Sequence, residues 1–160
     1  MYFGTKQIKA QAMTRQEYND YRGWELPEDE DGTDTGFLVE YVDGGAANHP
    51  DHEGYISWSP SGVFNASYQA DGCLSFGHAL MHVKNGGRAA RSGWNGDGMF
   101  IFLVNGSQFK VNREPLVSIL GEGIDVTYRP HIDISNPDGT IATWSPSNGD
   151  ALADDWFIVE

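Results

Sequence analysis

A chain of 160 residues, 39% hydrophobic and 12% aromatic, is long enough for one sizeable core or two smaller ones and too apolar for a disordered chain. A formal charge of −13 excludes a broad phosphate-backbone interface, which needs a basic stripe, yet a few placed arginines can still hold a small anion. The single cysteine, Cys73, excludes an intrachain disulfide framework, no apolar run reaches membrane-spanning length, and the opening MYFGTKQIKAQAM is too short and polar for a secretory signal, so a reducing cytoplasm is expected.

The acidity is uneven. Residues 1–72 carry 4 Lys and Arg against 13 Asp and Glu, a balance of −9, while residues 73–160 carry 6 against 10, a balance of −4. Two modules with that boundary are expected, the first acidic and of unknown role. Within it, Lys6 to Ala12 reads as a strand. Thr14 and Glu17 then form a capping box that opens a short helix, with Tyr18, Tyr21 and Trp24 as its packing residues. Residues 26–36, LPEDEDGTDTG, read as a solvated acidic loop without the spacing of a calcium motif.

Phe37 to Val42 and Tyr55 to Trp58 are the next strands. Their connection holds Asn48-His49-Pro50-Asp51-His52, two imidazoles and a carboxylate, which invites either a hydrogen-bonded loop or a metal site. Ser59-Pro60 then starts a helix that sets Phe64 and Tyr68 one turn apart, and Ala70-Asp71-Gly72 closes the module.

The second module opens on its most informative stretch, Cys73 to Val104. Ser75 can cap a helix whose apolar positions Phe76, Ala79, Leu80 and Val83 recur at helical spacing, and Gly86-Gly87 ends it. Arg88 and Arg91 lead into Gly93-Trp94-Asn95-Gly96-Asp97-Gly98, and Met99 to Val104 continues as an apolar strand. Cations, an indole face and unobstructed backbone N–H groups at one turn suit an anionic ligand that carries a ring. The same residues also read as an Asn-Gly hairpin turn around a core tryptophan with surface arginines.

Beyond it, Asn105-Gly106 turns the chain, Gln108 to Val111 returns as a strand, and Leu116 to Leu120 is an apolar segment broken by Gly121-Glu122-Gly123. Ile124 to Ile134 reads as one strand, Asn136-Pro137-Asp138-Gly139 as a hairpin turn, and Thr140 to Trp144 as its returning arm. Ser145-Pro146 or Ser147 starts a short helix through Asp150 to Ala153, and Trp156 to Val159 is the last strand. Successive strands joined by tight turns, with few short helices, predict an α+β fold on an antiparallel sheet.

Catalytic signatures are missing: there is no Gly-x-Ser-x-Gly elbow, no cysteine–histidine motif and no phosphate-loop or dinucleotide spacing. Asp150, Asp154 and Asp155 read as capping and solvated carboxylates, or as acceptors for ribose hydroxyl or adenine amino groups. Binding without turnover is the reading that remains.

The run Ala89-Ala90-Arg91-Ser92-Gly93-Trp94-Asn95-Gly96, followed by Gly98-Met99-Phe100, resembles the hallmark of phage Thoeris anti-defence proteins of the second type. The likeness extends through Val111-Asn112-Arg113, His131-Ile132-Asp133, Trp144 and the ending Asp150-Ala151-Leu152-Ala153-Asp154-Asp155-Trp156, covering about Leu74 to Glu160. It implies a protein acting in the cytoplasm of an infected bacterium, where it sequesters a cyclic ADP-ribose isomer signal without cleaving it. It also implies cyclic dinucleotides held at a separate site in some members, and a homotetramer with ligand pockets between protomers. No cofactor, metal, nucleic acid or membrane is implied. The expected ligand contacts are Trp94 on the adenine, Arg88 and Arg91 on the diphosphate, the close-approach surface of Asn95, Gly96, Gly98 and Met99, and Trp144, Asp154 and Trp156 from the C-terminal segment.

Two departures stand out: Asp97 occupies a position where relatives usually carry lysine, and residues 142–149 match the usual segment only at Trp144 and Ser147. The pattern of residues 13–24 and 54–60 resembles an extension found on some phage members, with no role implied. The competing functional classes are an acidic DNA mimic that inhibits a host nuclease and a metal-dependent hydrolase using His49, Asp51 and His52.

Overall fold

A computed structural model describes residue 1 and residues 4–160 and divides the chain into two compact units, Met1–Gln69 and Ala70–Glu160. In the first, strands β1 (Lys9–Ala12), β2 (Gly36–Tyr41) and β3 (Tyr55–Pro60) form an antiparallel sheet in that order. Helix α1 (Arg15–Arg22) follows β1 and helix α2 (Ser61–Ser67) follows β3. The capping box forms as the sequence predicts: the Thr14 hydroxyl accepts from the Glu17 N–H, and the Glu17 carboxylate accepts from the Thr14 N–H at 2.7 Å. The strand expected from Lys6 begins only at Lys9, where pairing with Glu40 starts.

Strand β2 is covered on both faces. Leu38 packs with Tyr18 and Ile56 in a small core that Met13 and Trp58 border, while Phe37 stacks on Phe64 of α2 at 3.9 Å between ring centroids. Tyr18 alone of the three expected α1 aromatics is buried; Tyr21 and Trp24 keep 37% and 51% of their surface. Glu40, in the same strand, is buried as well, a carboxylate that the surrounding loop must satisfy.

The second unit begins with helix α3 (Phe76–Lys84), N-capped by Ser75, whose hydroxyl pairs with His78 Nδ1 at 2.8 Å. Strands β4 (Arg88–Arg91), β5 (Phe100–Val104), β8 (His131–Ser135), β9 (Ile141–Thr143) and β10 (Trp156–Val159) make a five-stranded antiparallel sheet ordered β10-β4-β5-β8-β9. The α+β class predicted from the sequence is therefore the class observed. Helix α3 lies across one face of this sheet, and its Ala79 and Val83, both fully buried, meet Ala89, Ile101, Ile134, Leu74 and Trp156. Burying such side chains stabilises the unit by about 1.5–3 kcal/mol for each large aliphatic residue.

The segment 124–134, read as one strand, is two. Strand β7 (Asp125–Tyr128) pairs with β6 (Ser107–Lys110) in a separate two-stranded sheet, and β8 pairs with β5. Arg129-Pro130 is the break: proline has no N–H for a ladder and holds the preceding residue out of a continuing register. Helices α4 (Leu116–Leu120) and α5 (Asn148–Ala151) complete the unit, and Ser147 caps α5 in a second capping box closed by Asp150.

Candidate functional site

The unusual bend predicted between β4 and β5 forms at residues 92–99, and β10 determines its surroundings. Register places Arg91 opposite Trp156 and Ala90 opposite Phe157, so the residues just before β10 run beside the start of the bend. Arg91 meets two carboxylates there. Its Nε donates to Asp155 Oδ1 at 2.7 Å, its Nη1 to Asp150 Oδ1 at 2.7 Å, and its Nη2 to Asp155 Oδ2 at 3.4 Å. All three guanidinium nitrogens are engaged, and one cation between two carboxylates leaves the node with a net charge of −1.

The carboxylates are shared with the bend itself. Asp150 Oδ1 also accepts from the Trp94 indole N–H at 3.0 Å, and its Oδ2 accepts from the Ser147 N–H and hydroxyl at 3.0 and 2.7 Å. Asp155 Oδ2 accepts from the Gly93 N–H at 2.8 Å, and the Asp155 carbonyl accepts from the Ser92 N–H at 3.2 Å. Burial by itself would raise the Asp150 carboxyl pKa. Donation from Trp94, Ser147 and Arg91 outweighs that and holds the group well below the usual carboxylate range. Hydrogen bonding from Arg91 lowers the Asp155 carboxyl in the same way, and the Asp155 bond in turn raises the Arg91 guanidinium.

Under the node sits an aromatic cluster. Trp94, Trp144 and Trp156 meet edge to face at centroid distances of 5.4–6.2 Å, and Phe76 adds its ring at 5.3 Å from Trp156. Trp156 is fully buried, with its N–H on the Asp150 carbonyl at 3.1 Å, whereas Trp94, Trp144 and Met99 border the core and keep part of their surface. The expected residues thus fall into two groups. Arg91, Trp94, Met99, Trp144 and Trp156 build the underside of the bend; Asn95, Gly98 and Asp154 are exposed, as is Asp97. Arg88 lies three residues before Arg91, at the start of β4 opposite Val159 and Phe102, its guanidinium over the Phe100 ring at 5.2 Å and donating to the Glu160 carbonyl.

Between these groups lies the backbone of the bend. Among the described residues, none of the N–H groups of Asn95, Gly96, Asp97 and Gly98 finds an intramolecular acceptor. Gly98 has φ 75°, a conformation that strains other residues, and a Cβ on Gly96 would lie 2.5 Å from Met99 Sδ and 2.6 Å from Pro137 Cγ. Four successive donors on a close-approach surface can receive an anion or water. Asp97 is the opposing element, a carboxylate at the centre of that row.

Capping by Asp150 was legible in the sequence, but the pairing of Asp150 and Asp155 with Arg91 was not. The signal was present in the acidic spacing just before β10, but only the β4–β10 register shows that it lands on the arginine. A second concave surface, about 790 Å³, lies beside the β6–β7 hairpin, with Phe109 and Tyr128 in edge-to-face contact at 5.2 Å and Arg113 in its wall. The Arg113 guanidinium has no partner among the described residues, while Lys110 pairs with Asp125 at 3.0 Å. No helix among the described residues is long and apolar enough to cross a membrane.

The bend, its two carboxylate anchors and the tryptophans beneath it all fall inside residues 74–159, which match the model of the Thoeris anti-defense 2-like domain. Over 91 residues the chain is also 38% identical to Thoeris anti-defense 2 of Bacillus phage SP01, a match spanning 54% of this chain and 94% of that protein. The N-terminal unit lies outside the matched region, and the chain belongs, through its second unit, to the Thoeris anti-defense 2-like family.

Proposed function

We propose that this chain acts against Thoeris defence in a phage-infected bacterial cytoplasm by binding a cyclic ADP-ribose isomer and withholding it, intact, from its effector. The observation that carries the reading is the row of unpaired amides at Asn95, Gly96, Asp97 and Gly98, held in place by the Arg91–Asp150–Asp155 node. Those donors face the diphosphate, joined by Arg88 from the start of β4, and the accessible part of Trp94 walls the adenine. Asp154 accepts from a ribose hydroxyl. Arg91, Trp144, Trp156 and Met99 act mainly by giving the surface its shape, since their polar atoms or rings are engaged within the chain.

Sequestration needs tight binding: a nanomolar dissociation constant corresponds to about −12 kcal/mol, which a shallow exposed bend cannot supply alone. A second copy of the chain closes the receptacle in this proposal, and a homotetramer satisfies that need. The groove beside Arg113, Phe109 and Tyr128 is the corresponding candidate for a cyclic dinucleotide. No reaction step is assigned, because the node's carboxylates are engaged by donors within the chain, the Ser92 hydroxyl among them at 3.4 Å from Asp155 Oδ2.

The test is retention. The protein is incubated with a cyclic ADP-ribose isomer, passed through a filter, and denatured, and both fractions are analysed by mass. Intact metabolite released only on denaturation is the expected result. Recovery of cleaved product, or passage of all the metabolite through the filter, overturns the proposal. Retention of duplex-binding nuclease in place of the metabolite identifies a DNA mimic.

A further inference from the structure

The N-terminal unit lies outside the family match, and its connection between β2 and β3 folds both histidines back onto α1. The Tyr21 hydroxyl of α1 stands 2.9 Å from His52 Nε2 and 3.5 Å from His49 Nδ1. Adjacent ligands of a tetrahedral centre with bonds of about 2.0–2.1 Å lie about 3.3 Å apart, so each of these two spacings suits a pair of ligands on one small cation, with the imidazole ring centroids 5.5 Å apart. Asp51 brings a fourth oxygen: its Oδ2 is 4.0 Å from His49 Nδ1, on a side chain that is 74% exposed and free to turn inward.

The protons are arranged for the same purpose. His52 directs its Nδ1 at Glu40 Oε2, 3.1 Å away, which leaves the Nε2 lone pair aimed at Tyr21. Glu40 is itself buried and fixed, its Oε1 accepting from the Glu53 and Gly54 N–H groups at 2.9 and 3.1 Å. A carboxylate on the far nitrogen of an imidazole is the usual support of a metal-binding histidine. At His49, the Asp51 N–H donates to Nδ1 at 3.3 Å, so the neutral ring carries its lone pair there, held by that long hydrogen bond and the 3.5 Å contact with the Tyr21 hydroxyl, which a cation can displace. Both imidazoles are largely sheltered, with 15% of each side chain exposed. The surrounding segment adds a favourable field, since residues 1–72 carry a net charge of −9.

We infer that Tyr21, His49, His52 and Asp51 form a binding site for a divalent transition cation of the zinc class, buttressed by Glu40 and clipping the β2–β3 connection to α1. Among the described residues no three His, Cys, Asp or Glu side chains converge, so Asp51 stands outside the set as it is placed: the phenol oxygen of Tyr21 is the third ligand beside the two imidazoles, and Asp51 joins them when its exposed side chain turns inward. Two imidazoles with two oxygens favour zinc(II) or copper(II) over calcium or magnesium, which prefer all-oxygen shells.

The test uses the full chain, stripped with chelator, loaded with zinc(II), gel-filtered and assayed for bound metal, with affinity read by competition against a chromophoric chelator. One zinc per chain is expected. The His49→Ala/His52→Ala double variant should retain none, Tyr21→Phe should lose at least about tenfold in affinity while keeping the stacked ring, and Glu40→Gln should lose about 10- to 100-fold. Circular dichroism of each apo variant identifies any that fails to fold, and cobalt(II) loading of the wild type reports a four-coordinate site by its visible spectrum. Wild-type protein that retains no more zinc than the double variant, or a Tyr21→Phe protein that binds as tightly as wild type, overturns the site.

Discussion

Replacing Asp150 by alanine tests the node on which the bend depends. The substitution strips an acceptor from four donors at once: Arg91 Nη1, the Trp94 indole, and the Ser147 N–H and hydroxyl. Removing one partner of a buried ion pair costs about 3–5 kcal/mol, and losing a capping interaction costs about 1 kcal/mol more. Arg91 keeps its bonds to Asp155, which places the sum near the lower end, about 3–4 kcal/mol. For a chain of this size that corresponds to a fall of about 10 °C in melting temperature.

Calorimetry measures the fall, with exposed Asp154→Ala as the control that should change stability by less than about 0.5 kcal/mol. A double-mutant cycle with Arg91→Ala then isolates the pair, and a coupling of about 1–3 kcal/mol is expected. Retention of the cyclic metabolite should fail in Asp150→Ala even at temperatures where the protein is folded, because the bend loses its anchor. An Asp150→Ala protein that melts with the wild type, or a cycle with no coupling, refutes the node as the element that holds the bend.

Acid should expose the same node. The Asp150 and Asp155 carboxyls sit below their ordinary values in the folded protein, so their contribution is complete above the unfolded value of about 3.9 and is lost as pH falls through the folded values. Melting temperature is therefore expected to hold from this source above pH 5 and to drop below about pH 4, with a smaller drop in Asp150→Asn; equal acid sensitivity in the two proteins counts against the assignment. Asp97→Lys reverses a charge within the row of free amides and should tighten binding of a diphosphate ligand about tenfold at low salt, an advantage that shrinks at high salt; titration calorimetry at two salt concentrations reads it. Gly96→Ala pushes a methyl against Met99 and Pro137, so a stability loss of about 1–3 kcal/mol and weakened retention are expected, and an unperturbed variant would show that the bend is soft. Ile101→Ala, at a fully buried position beneath α3, should cost about 2–5 kcal/mol by denaturant unfolding.

Much of this molecule was readable from residue order alone, where the determining physics is local. The two capping boxes, the helix ending before Gly86-Gly87, the Asn136–Gly139 hairpin and the glycine-rich bend after β4 each rest on hydrogen bonds or backbone conformations within a few residues, and so each leaves its mark in adjacent letters. Ordered motifs likewise pointed to the family that the second unit joins. Partnership across the sheet was not local. That Arg91 spends its guanidinium on Asp150 and Asp155, that Trp156 lies fully buried, and that Pro130 divides one apparent strand between two sheets follow from strand order and register. The Glu40–His52–Tyr21 chain arises in the same way, from a loop folding back between a strand and a helix 31 residues apart in the case of Tyr21 and His52. Charge and aromatic character were therefore determined by the sequence, whereas tertiary structure decided which charges are neutralised within the chain and which donors are left facing solvent, because a salt bridge depends on distance in space and residue order does not encode that distance directly.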